Sequence, residues 1–424
     1  MRSSKQPFCL RTAGLVAVLS LFAFALACGS NHGSLGSGGG GGGNNNQVIA
    51  GPGPNVVTLT VDPGPANLVN PYTNGSFVSA NICLPGTNTC QTVDHLLVDT
   101  GSFGLRLMSN TNGGALTLSL PQVKDSNNNP IGECIQFIDN SFLWGPVVTA
   151  DVQLSNEIAH TLPVHVVGDT NFNTVPASCS SNGTGIDRDT LEQLGANGIL
   201  GVGGVQYDCG SACVSGSTIP TPVYYSCPGS TCNSSFLPLT SQVQNPVALF
   251  ATDNNGVILE LPSVSASGAP SISGSLVFGI GTQSNNALGS ASVLTLDNRL
   301  DLTTTYKGTP YPNSFVDSGS NGLFFLDSTT TGMPICTQAT SFYCPSSTTN
   351  FSAINNGQNA TTTTVNFSIA NAQSLNGNNV AFNDLGGPQS GAFDWGLPFF
   401  MGRNVFVSIA GKTVTSQTTP FVAY

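Results

Sequence analysis

Along most of the chain, apolar positions come in short runs rich in Val, Leu, Phe and Thr, separated by clusters of Gly, Ser, Thr, Asn and Pro. Runs of that length, bounded by turn residues, predict pleated strands, and their β-branched and aromatic content favours strands over helices. The expected fold class is therefore all-β. One helical segment stands out, Asp189 to Leu194 after the cap candidate Asp187, and it is short. Two of the apolar runs end in an unusual way. Leu97-Val98-Asp99-Thr100-Gly101-Ser102 and Phe315-Val316-Asp317-Ser318-Gly319-Ser320 each place an Asp at the end of a strand, followed by a hydroxyl residue and a Gly that lets the chain turn back sharply. The match runs on without a gap, with Val98, Asp99, Gly101, Ser102, Gly104 and Leu105 aligning on Val316, Asp317, Gly319, Ser320, Gly322 and Leu323. A repeated half-site predicts two related lobes, each supplying one carboxylate to a common cleft.

At 424 residues the chain is long enough for two substantial cores. Its N-terminus has a different character. Arg2, Lys5 and Arg11 precede an uncharged apolar stretch from Thr12 to Ala27, too short to span a bilayer, and Cys28 follows Ala25-Leu26-Ala27. Residues 1–28 read as an export signal that looks like a bacterial lipoprotein signal, with Cys28 lipidated as the new N-terminus and anchoring the protein in a membrane; the alternative is simple secretion. The Gly38 to Gly43 run and Asn44-Asn45-Asn46 have too little apolar surface to fold, so residues 29–55 are expected to form a tether with a reach of roughly 30 Å. The formal charge is −11, and loss of the leader leaves 7 basic against 21 acidic residues, which argues against nucleic acid as a partner.

Of the 12 Cys, Cys9 leaves with the leader and Cys28 is assigned to lipid, so ten remain, an even number. They fall into close pairs, Cys83 with Cys90, Cys209 with Cys213, Cys227 with Cys232 and Cys336 with Cys344, leaving Cys134 with Cys179. Disulfides are the default in an exported chain. A zinc site is the competing reading for Cys209, Cys213, Cys227 and Cys232, whose spacings approach those of metal ligands. The four His show no metal spacing, and His160 and His165, five apart on an expected strand, point to opposite faces. No phosphate-binding Gly loop or serine-hydrolase elbow is present, and neither a metal nor a cofactor is expected.

The paired Asp-Thr/Ser-Gly-Ser segments, 218 residues apart, resemble the two active-site loops of the pepsin-type bilobal aspartic peptidases. Gly198-Ile199-Leu200-Gly201 is similar to the apolar-apolar-Gly segment that threads behind the first loop, and Ser275 to Gly279 to the strand and turn opening the second lobe's sheet. Trp395-Gly396-Leu397-Pro398-Phe399-Phe400 sits where the matching segment of the second lobe belongs, with Pro398 at the expected Gly. Val98 to Arg106 together with Asp394 to Phe400 also resemble an uncharacterised bacterial family of exported pepsin-like proteins, a domain of unknown function. The resemblance implies a bilobal acid-protease fold, with an N-terminal lobe over 56–243 and a C-terminal lobe over 244–424. It further implies that Asp99 and Asp317 share a proton and a bridging water, one acting as base and the other as acid. Thr100 and Ser318 would brace the loops around Gly101 and Gly319, and Ser102 and Ser320 would hold each carboxylate in plane.

The family's substrate-covering hairpin falls between Cys134 and Val152. Its tyrosine would lie near Phe137 or Ile138, and no Tyr is there, so Phe137, Phe142 and Trp144 are the candidates for shielding the water. The Trp that supports that tyrosine is replaced by Arg106. The resemblance implies a monomeric aspartic endopeptidase acting on extended peptide or protein. The alternative is a catalytically inactive module that binds peptide at the bacterial cell surface. No Lys or Arg lies between Arg11 and Arg106, so no basic self-inhibiting propeptide is expected.

Overall fold

A computed structural model describes residues 49–214 and 222–424. Cys28, the leader and most of the expected tether lie outside the described residues. Strands follow one another almost throughout. The first half carries β1 (Val56–Val61), β2 (Ser76–Cys83), β3 (Cys90–Asp99), β4 (Phe103–Met108), β5 (Ile131–Gln136), β6 (Ser141–Leu154), β7 (Glu157–Val167), β8 (Ile186–Asp187), β9 (Gly198–Val202), β10 (Tyr224–Ser226) and β11 (Asn233–Ser234). The second carries β12 (Gly256–Leu261), β13 (Ile272–Phe278), β14 (Val293–Thr295), β15 (Leu302–Tyr306), β16 (Thr309–Val316), β17 (Leu323–Leu326), β18 (Thr349–Asn356), β19 (Thr362–Ile369), β20 (Gly386–Gly387), β21 (Gln389–Trp395), β22 (Arg403–Ser408) and β23 (Phe421–Ala423).

These strands make two barrel-like sheets. One runs in the order β11-β10-β5-β6-β7-β4-β9-β3-β2-β1-β13-β12-β22-β23-β14, and the other in the order β19-β18-β15-β16-β21-β17-β20. Asp99 stands on the first sheet, and Asp317 directly follows a strand of the second. The expected halves at 56–243 and 244–424 are stitched edge to edge, because β1 pairs antiparallel with β13 from Val56↔Val277 to Val61↔Ile272. Strand β13 therefore does not open a sheet of its own half. Its run Ser275 to Phe278 is buried throughout, and it gains neighbours on both edges, β1 on one side and β12 on the other.

Residues 50–55 also differ from the expected tether. The Ala50 amide donates to Glu260 at 2.6 Å, and the buried Asn55 side chain donates to the Phe278 carbonyl at 2.8 Å. The helix in the first half is α1 (Leu191–Leu194), capped by the Thr190 hydroxyl on the Gln193 amide and ended by Gly195 in the left-handed region. Asp187 instead accepts from the Asp189 amide at 2.7 Å, so the cap lies three residues later than the sequence indicates. All ten Cys are joined as Cys83–Cys90, Cys134–Cys179, Cys209–Cys213, Cys227–Cys232 and Cys336–Cys344. That pairing overturns the zinc reading of Cys209, Cys213, Cys227 and Cys232, whose sulfurs are consumed in disulfides. His160 and His165 both lie on β7, His160 exposed and His165 buried.

Candidate active site

The two Asp loops face each other with near two-fold symmetry. The Thr100 amide donates to Ser318 Oγ at 3.1 Å while the Ser318 amide donates to Thr100 Oγ1 at 2.9 Å. Each hydroxyl then donates across to the other strand, Thr100 to the Val316 carbonyl at 3.2 Å and Ser318 to the Val98 carbonyl at 2.7 Å. These four buried bonds fix the position of one loop against the other. Each carboxylate is held in the same way, Asp99 by the Gly101 amide at 2.8 Å and the Ser102 hydroxyl, and Asp317 by the Gly319 amide at 2.9 Å and the Ser320 hydroxyl at 2.7 Å. The two acids are close. A methyl group built on Gly319 would lie 2.7 Å from Asp99 Cγ and 3.2 Å from Asp317 Oδ1, so only a residue without a Cβ fits there.

A third strand threads behind each loop. Strand β9 runs parallel to β3, with Val98↔Leu200 and Asp99↔Gly201, and antiparallel to β4 on its other side. In the second half β21 runs parallel to β16, with Val316↔Trp395, and antiparallel to β17, with Leu323↔Trp395. Since Val316 corresponds to Val98, Trp395 takes the place of Leu200 and Gly396 that of Gly201. The expected Gly is thus present. A Cβ on Gly396 would lie 2.0 Å from the Gly322 carbonyl oxygen, and one on Gly201 would lie 2.7 Å from the Phe103 amide. Pro398 is therefore no departure, since it sits beyond the crossing in the first turn of the short helix Leu397–Phe400, where a missing N–H costs little. The departure is one residue before Trp395. Asp394 stands where the first half has Ile199, and Ser320 Oγ lies 2.7 Å from Asp394 Oδ2.

Burial raises the Asp317 carboxyl well above the usual range, and the charges of Asp99 and Asp394 push it further. Burial likewise raises Asp394, with Asp99 adding to the shift. Elsewhere, burial and the neighbouring Asp187 push Asp189 up to about 8, and burial pushes Asp384 up to about 6. Above the ordinary value of 3.8 the unfolded chain has lost protons that these carboxyls keep when folded. The folded state then binds more protons, so stability falls as pH rises through that window. The thermal midpoint is accordingly expected to be higher near about pH 5 than near about pH 8, and Asp189→Asn, which still accepts the Trp144 amide, should flatten the dependence. A midpoint that climbs across this range would contradict the burial of these acids.

The three aromatic candidates for the covering role point inward. Phe137 packs with Tyr72, Phe77 and Leu97, while Phe142 and Trp144 pack against Cys134, Cys179 and Tyr225, and Trp144 Nε1 donates to the Phe172 carbonyl at 2.7 Å. Strand alternation explains this, because the inner face of the β5–β6 hairpin needs bulk to cover the disulfide. The exposed apolar residue at the turn is Ile138, at 49%. Next to it Asp139 acts on the Tyr72 phenol, which also feels Asp99 and Asp317 and is raised chiefly by burial. Phe137, just before the turn, shares a buried cluster with Tyr72, so the hairpin turn lies on the Tyr72 side of the first half. The Tyr72 hydroxyl is buried and has no hydrogen-bond partner among the described residues. It lines a cleft of about 540 Å³ whose walls come from both halves, including Glu192, Asn321, Phe342, Phe382 and Leu385. Asn74, in the left-handed region, crosses between those walls, donating to the Asn321 and Phe382 carbonyls at 2.8 and 2.9 Å and accepting from the Phe382 amide at 2.7 Å. Tyr72, Asn74 and Asn321 carry no local motif that marks them in the sequence, and Asp394 stands out there only as the first residue of the 394–400 segment, with no sign of its contact to Ser320.

Arg106, in the place of the expected Trp, is fully buried in a charged cluster. Its guanidinium donates to Glu133 Oε1 at 2.9 Å and to the Phe103 carbonyl at 2.8 Å, with Asp208 Oδ2 at 3.6 Å. Burial pushes Glu133 up, but the Arg106 charge, together with His165 and hydrogen bonding around it, outweighs that and holds it below the usual range. Burial and the Glu133 charge raise Asp208, which accepts the Tyr224 hydroxyl. Burial lowers His165 to about 4, so its ring is neutral. One cation and one anion therefore remain, joining β4 just beyond the Asp99 loop to β5 of the hairpin.

The fold is that of the pepsin-like aspartic proteinases. The aspartic proteinase from Irpex lacteus superposes with a TM-score of 0.51 over 87% of this chain and 96% of its own, at 16% sequence identity. Residues 51–424 match the family described as protein of unknown function DUF3443, and the chain belongs to that family. No curated protein sequence matches it.

Proposed function

We propose that this chain is an aspartic endopeptidase, in which Asp99 and Asp317 hold a water between them and cleave peptide bonds of an extended chain lying between two lobes, 56–243 and 244–424. The observation that supports this best is the reciprocal bracing of the two loops by Thr100 and Ser318, which sets both carboxyls against Gly319. Two buried acids at that separation share a proton, because ionising both would place like charges together out of water. One carboxylate takes a proton from the water as it attacks the carbonyl carbon. The other gives its proton to the carbonyl oxygen and, as the carbon–nitrogen bond breaks, the pair returns a proton to the leaving nitrogen. Ser102 and Ser320 keep the carboxyls in plane during this exchange. Ile138, exposed at the hairpin turn, takes the covering role over the water, and the cleft beside Tyr72 receives substrate side chains. Export with lipid attachment at Cys28, a tether beyond it and a monomeric state complete the reading.

Hydrolysis of an unstructured protein between about pH 3 and pH 7, blocked by a pepstatin-type inhibitor, is the expected outcome. A non-cutting peptide-binding module draws on Ile138 standing where the family has Tyr. Inhibitor binding by calorimetry without turnover at any pH would favour that module.

A further inference from the structure

Ser320 has one hydroxyl proton and two carboxyl neighbours. Its Oγ lies 2.7 Å from Asp317 Oδ2 and 2.7 Å from Asp394 Oδ2. A single O–H can be donated to only one of them. The other contact closes only if a carboxyl donates to Oγ, so one of the two acids carries a proton whenever both contacts exist. Asp394 is the better holder. It is 4% exposed, and its Oδ1 has no hydrogen-bond partner among the described residues. Its strand partners Phe315 and Phe324 carry no charge. Asp317, by contrast, accepts the Gly319 amide at 2.9 Å, a donor that favours an ionised oxygen.

We propose that Asp394 is a positioning residue of the acid pair, donating its proton to Ser320 Oγ and thereby turning the Ser320 hydroxyl toward Asp317 Oδ2. The working unit is then three carboxyls that hold two protons, one shared by Asp99 and Asp317 and one on Asp394. When Asp394 ionises, the Ser320 hydroxyl turns to it, and Asp317 loses a donor and faces a second negative charge. The proton leaves to solvent as Asp394 becomes a carboxylate, and no other bond changes. The titratable groups that act on the unit are Asp99 and Asp317 on the loops, with Tyr72 facing both. The first half has no counterpart, because Ile199 occupies the corresponding place. This role in turnover rests on the peptidase reading; the proton on Asp394 does not.

The test compares Asp394→Asn, whose side-chain N–H₂ donates permanently to Ser320, with Asp394→Ile, which copies Ile199 and donates nothing. In the Asn variant the basic limb of the kcat profile should move to higher pH, with kcat above the wild-type limb raised about threefold or more and KM unchanged. Asp394→Ile should lower kcat about tenfold at unchanged KM, a loss that Asn rescues. The second readout needs no turnover. In isotope-edited infrared difference spectra at about pH 6, wild type minus Asp394→Asn should show a protonated-acid carbonyl band. A carboxylate band there, or a basic limb that does not move in the Asn variant, overturns the proposal. Absence of turnover in the wild type with the acid band intact would instead defeat the peptidase reading and leave the proton assignment standing.

Discussion

Asp99→Asn and Asp317→Asn are each expected to lower kcat for peptide hydrolysis by about a thousandfold or more, since a positioned acid or base contributes on the order of 10² to 10⁴ and both steps share one pair. The fold should not suffer. Asn keeps an oxygen that accepts the Gly101 or Gly319 amide, and the four bonds between Thr100, Ser318 and the opposite strands do not involve the carboxyls. Stability near neutral pH should hold or rise in Asp317→Asn, because burial and neighbouring charge raise that carboxyl and make its ionised form costly in the folded state. Turnover and calorimetric unfolding of the same preparations check both parts. A single variant that keeps near wild-type turnover would show that the two carboxyls do not act together.

The second large effect falls on stability. Arg106→Met should cost about 3–5 kcal/mol, because it leaves Glu133 buried beside Asp208 with no counter-charge. The double variant Arg106→Met with Glu133→Gln removes the stranded charge and should recover much of that loss, so the pair distinguishes lost charge balance from lost packing. Chemical denaturation at about pH 7 reads the difference. A loss below about 1 kcal/mol in the single variant would mean that water reaches the cluster. At acid pH the penalty should shrink. Glu133 is held below its ordinary value in the wild type, so its contribution is present above that value and fades as pH falls through the lower folded value; without Arg106 the carboxyl simply takes a proton.

The repeated Asp segments were legible in the sequence because each half-site is local. An Asp at the end of a strand, a hydroxyl and a Gly within four residues supply the carboxylate, its amide donor and the turn, and the same order appears twice. The short cysteine pairs were legible for a related reason: residues four to eight apart have little choice of partner. Strand content followed from composition and run length alone. What local pattern could not reach were the groups whose meaning depends on pairing across hundreds of residues. Asp394 looks like a polar residue beside a Trp until the parallel register of β21 on β16 carries it to Ser320, and the same register shows that Gly396, not Pro398, makes the close crossing. Arg106 reads as the loss of a Trp until Glu133, Asp208, Tyr224 and His165 gather around it from separate segments. Tyr72 has no motif at all, and only the meeting of both halves brings its phenol near the two acids. Sequence determined which residues could do the chemistry, because bonding within a turn is local; the tertiary structure decided their protonation, because burial and neighbouring charge arise only when distant strands meet.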